Sequence, residues 1–195
     1  MGLGLRRRHI DDLGRLEHVE HPDGATEYSV YDNAGRLFQR KNARGYVTTF
    51  GYDDAGRMTT TTDAQVPTPG VTVNAYDDNG RIETVTDARG KVTRFEYDAA
   101  GRRRFVRFHD GTLTETTYDD AGRATQQHDQ SGKVTSYGFD CLGRLGSVTT
   151  PMPGHTWTYG YDEVGSLLSQ TDANGHATQM RYDADRRLTD RILPV

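Results

Sequence analysis

Side chains able to do acid–base or metal chemistry are plentiful in this sequence, and they come in copies. Adjacent carboxylates stand at Asp53-Asp54 and Asp119-Asp120, the kind of pair that general acid and base catalysis uses. The stretch Asp77-Asp78-Asn79-Gly80 is rich in the oxygen ligands that calcium prefers. Histidine occurs at His9, His18, His21, His109, His128, His155 and His176, and cysteine once, at Cys141.

Spacing argues against each of these chemistries. The carboxylates recur at the same place in unit after unit, whereas a catalytic site is singular, so their copying points to turn chemistry. The oxygen-rich loop lacks the spaced acidic ligands and closing Glu of an EF-hand, and it does not keep the nonapeptide period of calcium β-rolls. The histidines are scattered over different units. His109 and His128 fall at neighbouring strand ends, but with Cys141 elsewhere no zinc spacing emerges. Cys141, in FDCLGR, occupies a turn position that other units fill with Asp, Ala or Asn, and no base is placed to activate it. The expectation is a non-enzyme with no catalytic residue, no metal site and no cofactor.

One constellation remains open. Tyr137, Trp157, Tyr159 and Tyr161 share a face if strand alternation holds. Aromatics on an open sheet can bind a glycan or a protein strand, or can pack as the sheet's own ladder.

The elements that carry these residues follow from a repeat. Tyr-Asp (once Phe-Asp), followed in all but the last unit by Gly and in all but the Tyr161 unit by Arg, recurs at Tyr31, Asp32, Gly35 and Arg36; Tyr52, Asp53, Gly56 and Arg57; Tyr76, Asp77, Gly80 and Arg81. It continues at Tyr97, Asp98, Gly101 and Arg102; Tyr118, Asp119, Gly122 and Arg123; Phe139, Asp140, Gly143 and Arg144; Tyr161, Asp162 and Gly165; and Tyr182 with Asp183. The usual step is 21 residues, and Ile10-Asp11 with LGR is a degenerate earlier copy. Each unit holds two D-x-x-G turn signals, as at Asp77–Gly80 and Asp87–Gly90. Asp hydrogen-bonds backbone N–H groups across such a turn, and Gly takes the positive φ of a hairpin built on a type I turn. The six and seven residues between turns are strand-length, and turns this frequent leave no room for helices.

The fold class expected is therefore all-β: tandem β-hairpin repeats forming a long, curled antiparallel meander. Residues 1–9 are an N-terminal extension, 10–190 the array of about eight units plus a partial one, and 191–195 a tail. Insertions fall in turns, in DAQVPTPG (63–70) and TPMPG (150–154). Four before the repeat Tyr stand Thr48, Thr72, Thr93, Thr114, Thr135 and Thr178, with Trp157 the exception. With the residues two before, such as Phe50, Phe95 and Tyr137, they are expected to stack as Thr, aromatic and Tyr ladders on one face. The Arg after each first turn, a series broken by Ser166, is expected to bond turn carbonyls or pair with Asp32, Asp53, Asp77 or Asp98.

Bulk properties agree with a sheet that has little core. Hydrophobic residues make up 33%, mean hydropathy is −0.81 and net charge is −4. Eleven Tyr argue for order. The acidity, with only Arg6-Arg7-Arg8 as a basic run, gives no footprint for nucleic acid. No apolar stretch reaches the ~20 residues of a membrane helix, and MGLGLRRRHIDD lacks a secretory hydrophobic core.

The pattern Y-D-x-x-G-R, then D-x-x-G-x-x-T-x-x-x-Y-D, resembles the tyrosine-aspartate repeat of the Rhs family, with related repeats in Tc insecticidal toxin complexes and teneurins. The match covers residues 10 to about 190. The resemblance implies a β-sheet spiral forming a hollow shell, which in the bacterial polymorphic toxins encloses a C-terminal toxic segment. The implied role is non-catalytic and encapsulating, with the rest of the shell and its cargo as partners. It also implies residence in the cytoplasm until a dedicated system exports it, or a place at the cell surface within a larger protein. The alternative is a carbohydrate- or protein-binding surface module. The family's D-P-x-G-L type self-cleavage motif does not occur in the sequence.

Overall fold

The computed structural model describes residues 6–63 and 69–194, so most of the 63–70 insertion, Pro67 included, lies outside the described residues. Eighteen strands and no helix are found there. By contacts the chain divides into two units, Met1–Phe95 and Glu96–Val195.

The first unit holds β1 (Arg7–Ile10), β2 (Leu16–Glu20), β3 (Thr26–Tyr31), β4 (Leu37–Lys41), β5 (Val47–Tyr52), β6 (Met58–Asp63), β7 (Gly70–Tyr76) and β8 (Ile82–Thr86), and β9 (Val92–Tyr97) begins in it. The second holds β10 (Arg103–Arg107), β11 (Leu113–Tyr118), β12 (Ala124–His128), β13 (Val134–Phe139), β14 (Leu145–Thr149), β15 (Thr156–Tyr161), β16 (Leu167–Thr171), β17 (Ala177–Tyr182) and β18 (Leu188–Ile192). Within each unit every strand pairs antiparallel with its sequence neighbour, as a meander of hairpins requires. Strands ending in the repeat Tyr have six or seven residues; the strands that follow them have five, or six in β6.

The turns are one device used throughout. In the turn at Asp32, the N–H of Gly35 donates to the Asp32 carbonyl at 2.9 Å and the N–H of Asp32 to the Arg36 carbonyl at 2.8 Å. Gly35 sits at φ +81°. That is a type I turn closed by a left-handed residue, where glycine carries no Cβ penalty. The 150–154 insertion widens its corner between β14 and β15, where the N–H of Thr150 donates to the His155 carbonyl at 3.0 Å and the N–H of His155 to the Met152 carbonyl at 3.1 Å.

Two expectations need correction. In the hairpins β3–β4, β5–β6, β7–β8, β11–β12, β13–β14, β15–β16 and β17–β18 the register shifts next to the repeat aromatic, and in β1–β2 next to Ile10; hairpins closed by second turns, such as β4–β5 and β6–β7, keep register. Gly51 pairs with Thr60 and Tyr52 with Met58, leaving Thr59 as an extra, bulged residue. A bulge bends the strand and displaces the residues beyond it. The Thr and aromatic ladders are consequently not separate columns. Phe50 faces Thr61, which faces Thr72; Tyr137 faces Val148, which faces Trp157. Each row thus joins the residue two before one repeat aromatic to the residue four before the next. The repeat tyrosines face apolar residues across their hairpins: Tyr31 faces Leu37, Tyr52 faces Met58 and Tyr76 faces Ile82.

Little is buried. Among the described residues only Val19, at 2% exposure, is a buried apolar side chain, and no polar one is buried. Hydrogen-bonded backbone and side-chain joints hold this sheet, in place of a core.

Candidate functional site

The repeated residues meet at a joint between successive hairpins. Asp32 Oδ1 accepts the N–H of Ala34 at 2.9 Å and of Arg36 at 2.8 Å, and its Oδ2 accepts Arg36 Nε at 2.7 Å. One carboxylate thereby caps the turn and fixes the arginine. The Arg36 N–H above all, with the guanidinium beside it, holds the Asp32 carboxyl below its ordinary value, against partial desolvation.

Thus fixed, Arg36 reaches the next repeat. Its Cζ lies 4.6 Å from the Tyr52 ring centroid, a cation–π geometry, and its Nη1 donates to the Asp53 carbonyl at 3.3 Å. The Tyr52 hydroxyl donates back to the Leu37 carbonyl at 2.8 Å. The same closure joins Tyr31 to Leu16, Tyr76 to Met58, Tyr118 to Arg103, Tyr161 to Leu145 and Tyr182 to Leu167, at 2.7–3.0 Å. Arg15, Arg57, Arg102 and Arg144 cover the rings of Tyr31, Tyr76, Tyr118 and Tyr161 at 4.4–4.8 Å.

Where the motif departs, the joint departs with it. Arg123 covers Phe139 at 4.6 Å, and that ring has no hydroxyl to donate. Ser166 replaces the arginine; its N–H still bonds Asp162 Oδ1 at 2.7 Å, but no guanidinium extends from that turn toward Tyr182. Arg186 takes the glycine's place at φ +62°. Second turns keep the backbone half of the device, as where Asp87 Oδ1 accepts from Arg89 and Lys91 N–H at 2.9 Å; the turn at Asp172 adds a side-chain contact, His176 Nδ1 lying 3.2 Å from Asp172 Oδ2.

The other candidates separate. In Asp53-Asp54 and Asp119-Asp120 the first member caps a turn while the second is exposed, so neither pair converges on a reacting atom. Asp77 accepts from Asn79 N–H, Arg81 N–H and Arg81 Nε. Cys141 is exposed in its turn.

Tyr137, Trp157 and Tyr159 do lie on one face, with Tyr161 two residues further along β15. Tyr161 is engaged in a joint, and the Tyr137 hydroxyl donates to Gln127 Oε1 at 2.9 Å. Trp157 borders a shallow depression of about 270 Å³ with Gln170, Asp172, His176, Thr178 and Arg191. Sequence reasoning missed a different group, His9, His18 and Glu20, whose ligand atoms lie within 4.8 Å of one another. The available signal was their near-mirror placement about the Asp11–Gly14 turn.

Comparison with known proteins places this geometry. The RHS repeat family matches residues 31–65, 76–107, 118–151 and 161–194. No curated protein matches the chain. Among solved structures, the crystal structure of TcdB2-TccC3-TEV is similar at TM-score 0.76 and 17% identity, over 95% of this chain and 11% of that one. The crystal structure of TcdB2-TccC3-Cdc42 gives 0.55 and 16%, over 95% and 14%. The Tc holotoxin pore of Photorhabdus luminescens gives 0.53 and 16%, over 95% and 15%. The likeness is one of fold, and the chain spans a small part of those chains' length. With its turn-capping aspartates, arginines and tyrosines in register with that match, the chain belongs to the RHS repeat family.

Proposed function

We propose that this chain is a non-catalytic wall segment of a larger Rhs-like toxin, a stretch of shell around a toxic cargo. The observation that carries the reading is the joint itself: the recurring polar and aromatic residues bind one hairpin to the next. Side chains so engaged are unavailable for turnover, and repetition suits a surface that must extend. Its partners on this reading are the remainder of the shell and the enclosed segment, and its export is that of the whole protein. Residues 10–190 would all belong to the wall.

The test is to express the chain within its full-length protein and digest with protease. Shell function predicts that the segment encoded downstream survives in the intact protein. It also predicts that the segment is degraded when paired substitutions such as Tyr52→Ala with Tyr118→Ala open the joints. Equal digestion of both would overturn the proposal.

A second reading, carbohydrate or protein binding, is favoured by one observation: Trp157 borders a depression whose rim carries amide, carboxylate, imidazole and guanidinium groups. A glycan array probed with the chain, followed by titration of Trp157→Ala, tests it. Binding unaffected by the substitution, or no binding, would remove it.

A further inference from the structure

We infer that His9, His18 and Glu20 form a site for one divalent transition-metal ion, clipping β1 to β2. The sequence places them there through the turn at Asp11. Asp11 Oδ1 takes the N–H groups of Leu13 and Arg15, and its Oδ2 takes Arg15 Nε, fixing the hairpin. The register then sets His9 opposite His18 and Arg7 opposite Glu20. His9, His18 and Glu20 come to one face.

The geometry is that of a loosely closed ligand set. The imidazoles lie parallel, 5° apart, with centroids 4.1 Å from each other. His9 Nε2 is 3.7 Å from Glu20 Oε2, too far for a hydrogen bond. Zinc-type ions bind imidazole nitrogen and carboxylate oxygen at ~2.0–2.2 Å, which puts neighbouring ligands of a tetrahedral shell about 3.3 Å apart. Because the in-plane lone pairs of parallel rings do not meet at one point, binding one ion requires one imidazole to turn out of the stack.

Two further features point to an ion. His9 Nε2 is shielded from solvent and has no hydrogen-bond partner among the described residues, an arrangement that proteins normally avoid. A metal would satisfy that lone pair. The Glu17 carboxylate lies 3.6 Å from His18 Nδ1, where it supplies the outer carboxylate that metal-bound histidines commonly use. Stacked imidazolium cations would repel, whereas two neutral imidazoles and one carboxylate suit a divalent ion. Two nitrogens and one oxygen favour zinc or copper over calcium or magnesium. Water completes the shell from the side of Glu20, whose side chain is 47% exposed.

The experiment uses the whole chain, stripped with chelator and titrated with Zn²⁺ by calorimetry. One ion per chain is expected. His9→Asn, His18→Asn and Glu20→Gln should each weaken binding at least tenfold, while His155→Asn should leave it unchanged. Circular dichroism in chelator checks that each variant is folded. Should any variant unfold, the Cu²⁺ electron paramagnetic resonance spectrum of the unmodified chain decides, and coupling to two imidazole nitrogens is expected. Absence of binding, full binding by His9→Asn, or a copper spectrum without nitrogen coupling would overturn the site.

Discussion

Arg36 and Tyr52 meet across a boundary between repeats: the guanidinium carbon stands 4.6 Å from the ring centroid. The arginine belongs to one turn and the tyrosine to the strand that leads into the next. Fixing one positions the other, which is how a polar chain with a single buried apolar side chain among its described residues keeps its hairpins in order.

The hydroxyl's share can be separated from the ring's. Tyr52→Phe removes the bond to the Leu37 carbonyl and keeps the stack, as Phe139 already does beneath Arg123. A loss of about 1 kcal/mol is expected, the net worth of one such hydrogen bond. Tyr52→Ala removes the stack as well and should cost clearly more. Urea unfolding of both variants reads the difference.

Ser166 marks the joint that lacks its cation. Ser166→Arg gives Asp162 a guanidinium partner and covers Tyr182, whose hydroxyl already bonds the Leu167 carbonyl. A gain of about 0.5–1 kcal/mol is expected from the cation–π contact. Thermal unfolding of the variant beside the parent measures it. No gain would mean that the stack accompanies the joint without strengthening it.

Close strand approach sets a third expectation. A Cβ added at Gly160 would stand 2.5 Å from Ser169 Oγ, its partner across the β15–β16 pair. Gly160→Ala forces the serine hydroxyl to turn, at a cost of about 0.5–1.5 kcal/mol for a displaced rotamer. Adding Ser169→Ala should recover most of that loss. A double-mutant cycle in urea tests the coupling.

Acid should loosen every joint together. The carboxyls of Asp11, Asp32, Asp53, Asp140 and Asp183 are held below their ordinary 3.8, chiefly by the N–H of the arginine four residues on. For Asp77 and Asp119 the guanidinium leads. Because the folded values are the lower ones, these groups stabilise the fold fully above the ordinary value. That contribution is lost as pH falls through the folded values. The urea midpoint should therefore be flat from neutrality to roughly pH 5 and decline steeply below roughly pH 4. An unchanged midpoint at pH 3 would contradict the capping role.

Much of this was legible in the residues. D-x-x-G marks each turn because the side-chain acceptor and the positive φ are properties of Asp and Gly themselves. Arg beside Asp announces an ion pair. The bulge left no such trace: its extra residue is Phe38, Thr59, Glu83, Thr125 or Leu168, types with no chemistry in common. The stagger of the rows comes from the bulge and was hidden with it. The tyrosine's partner was equally silent, since a backbone carbonyl is present whatever the residue, Leu16, Met58 or Arg103 alike. His9 and His18 became neighbours only once the register about their turn was known.

The near absence of buried apolar side chains among the described residues bears on heredity. A protein folded around a common interior must change many positions together when it grows or shrinks. Here each hairpin answers only to its neighbours, so a duplication or deletion of one whole repeat meets a matching latch on either side. Such a gene can vary in length by recombination between its own copies while each surviving segment keeps its shape.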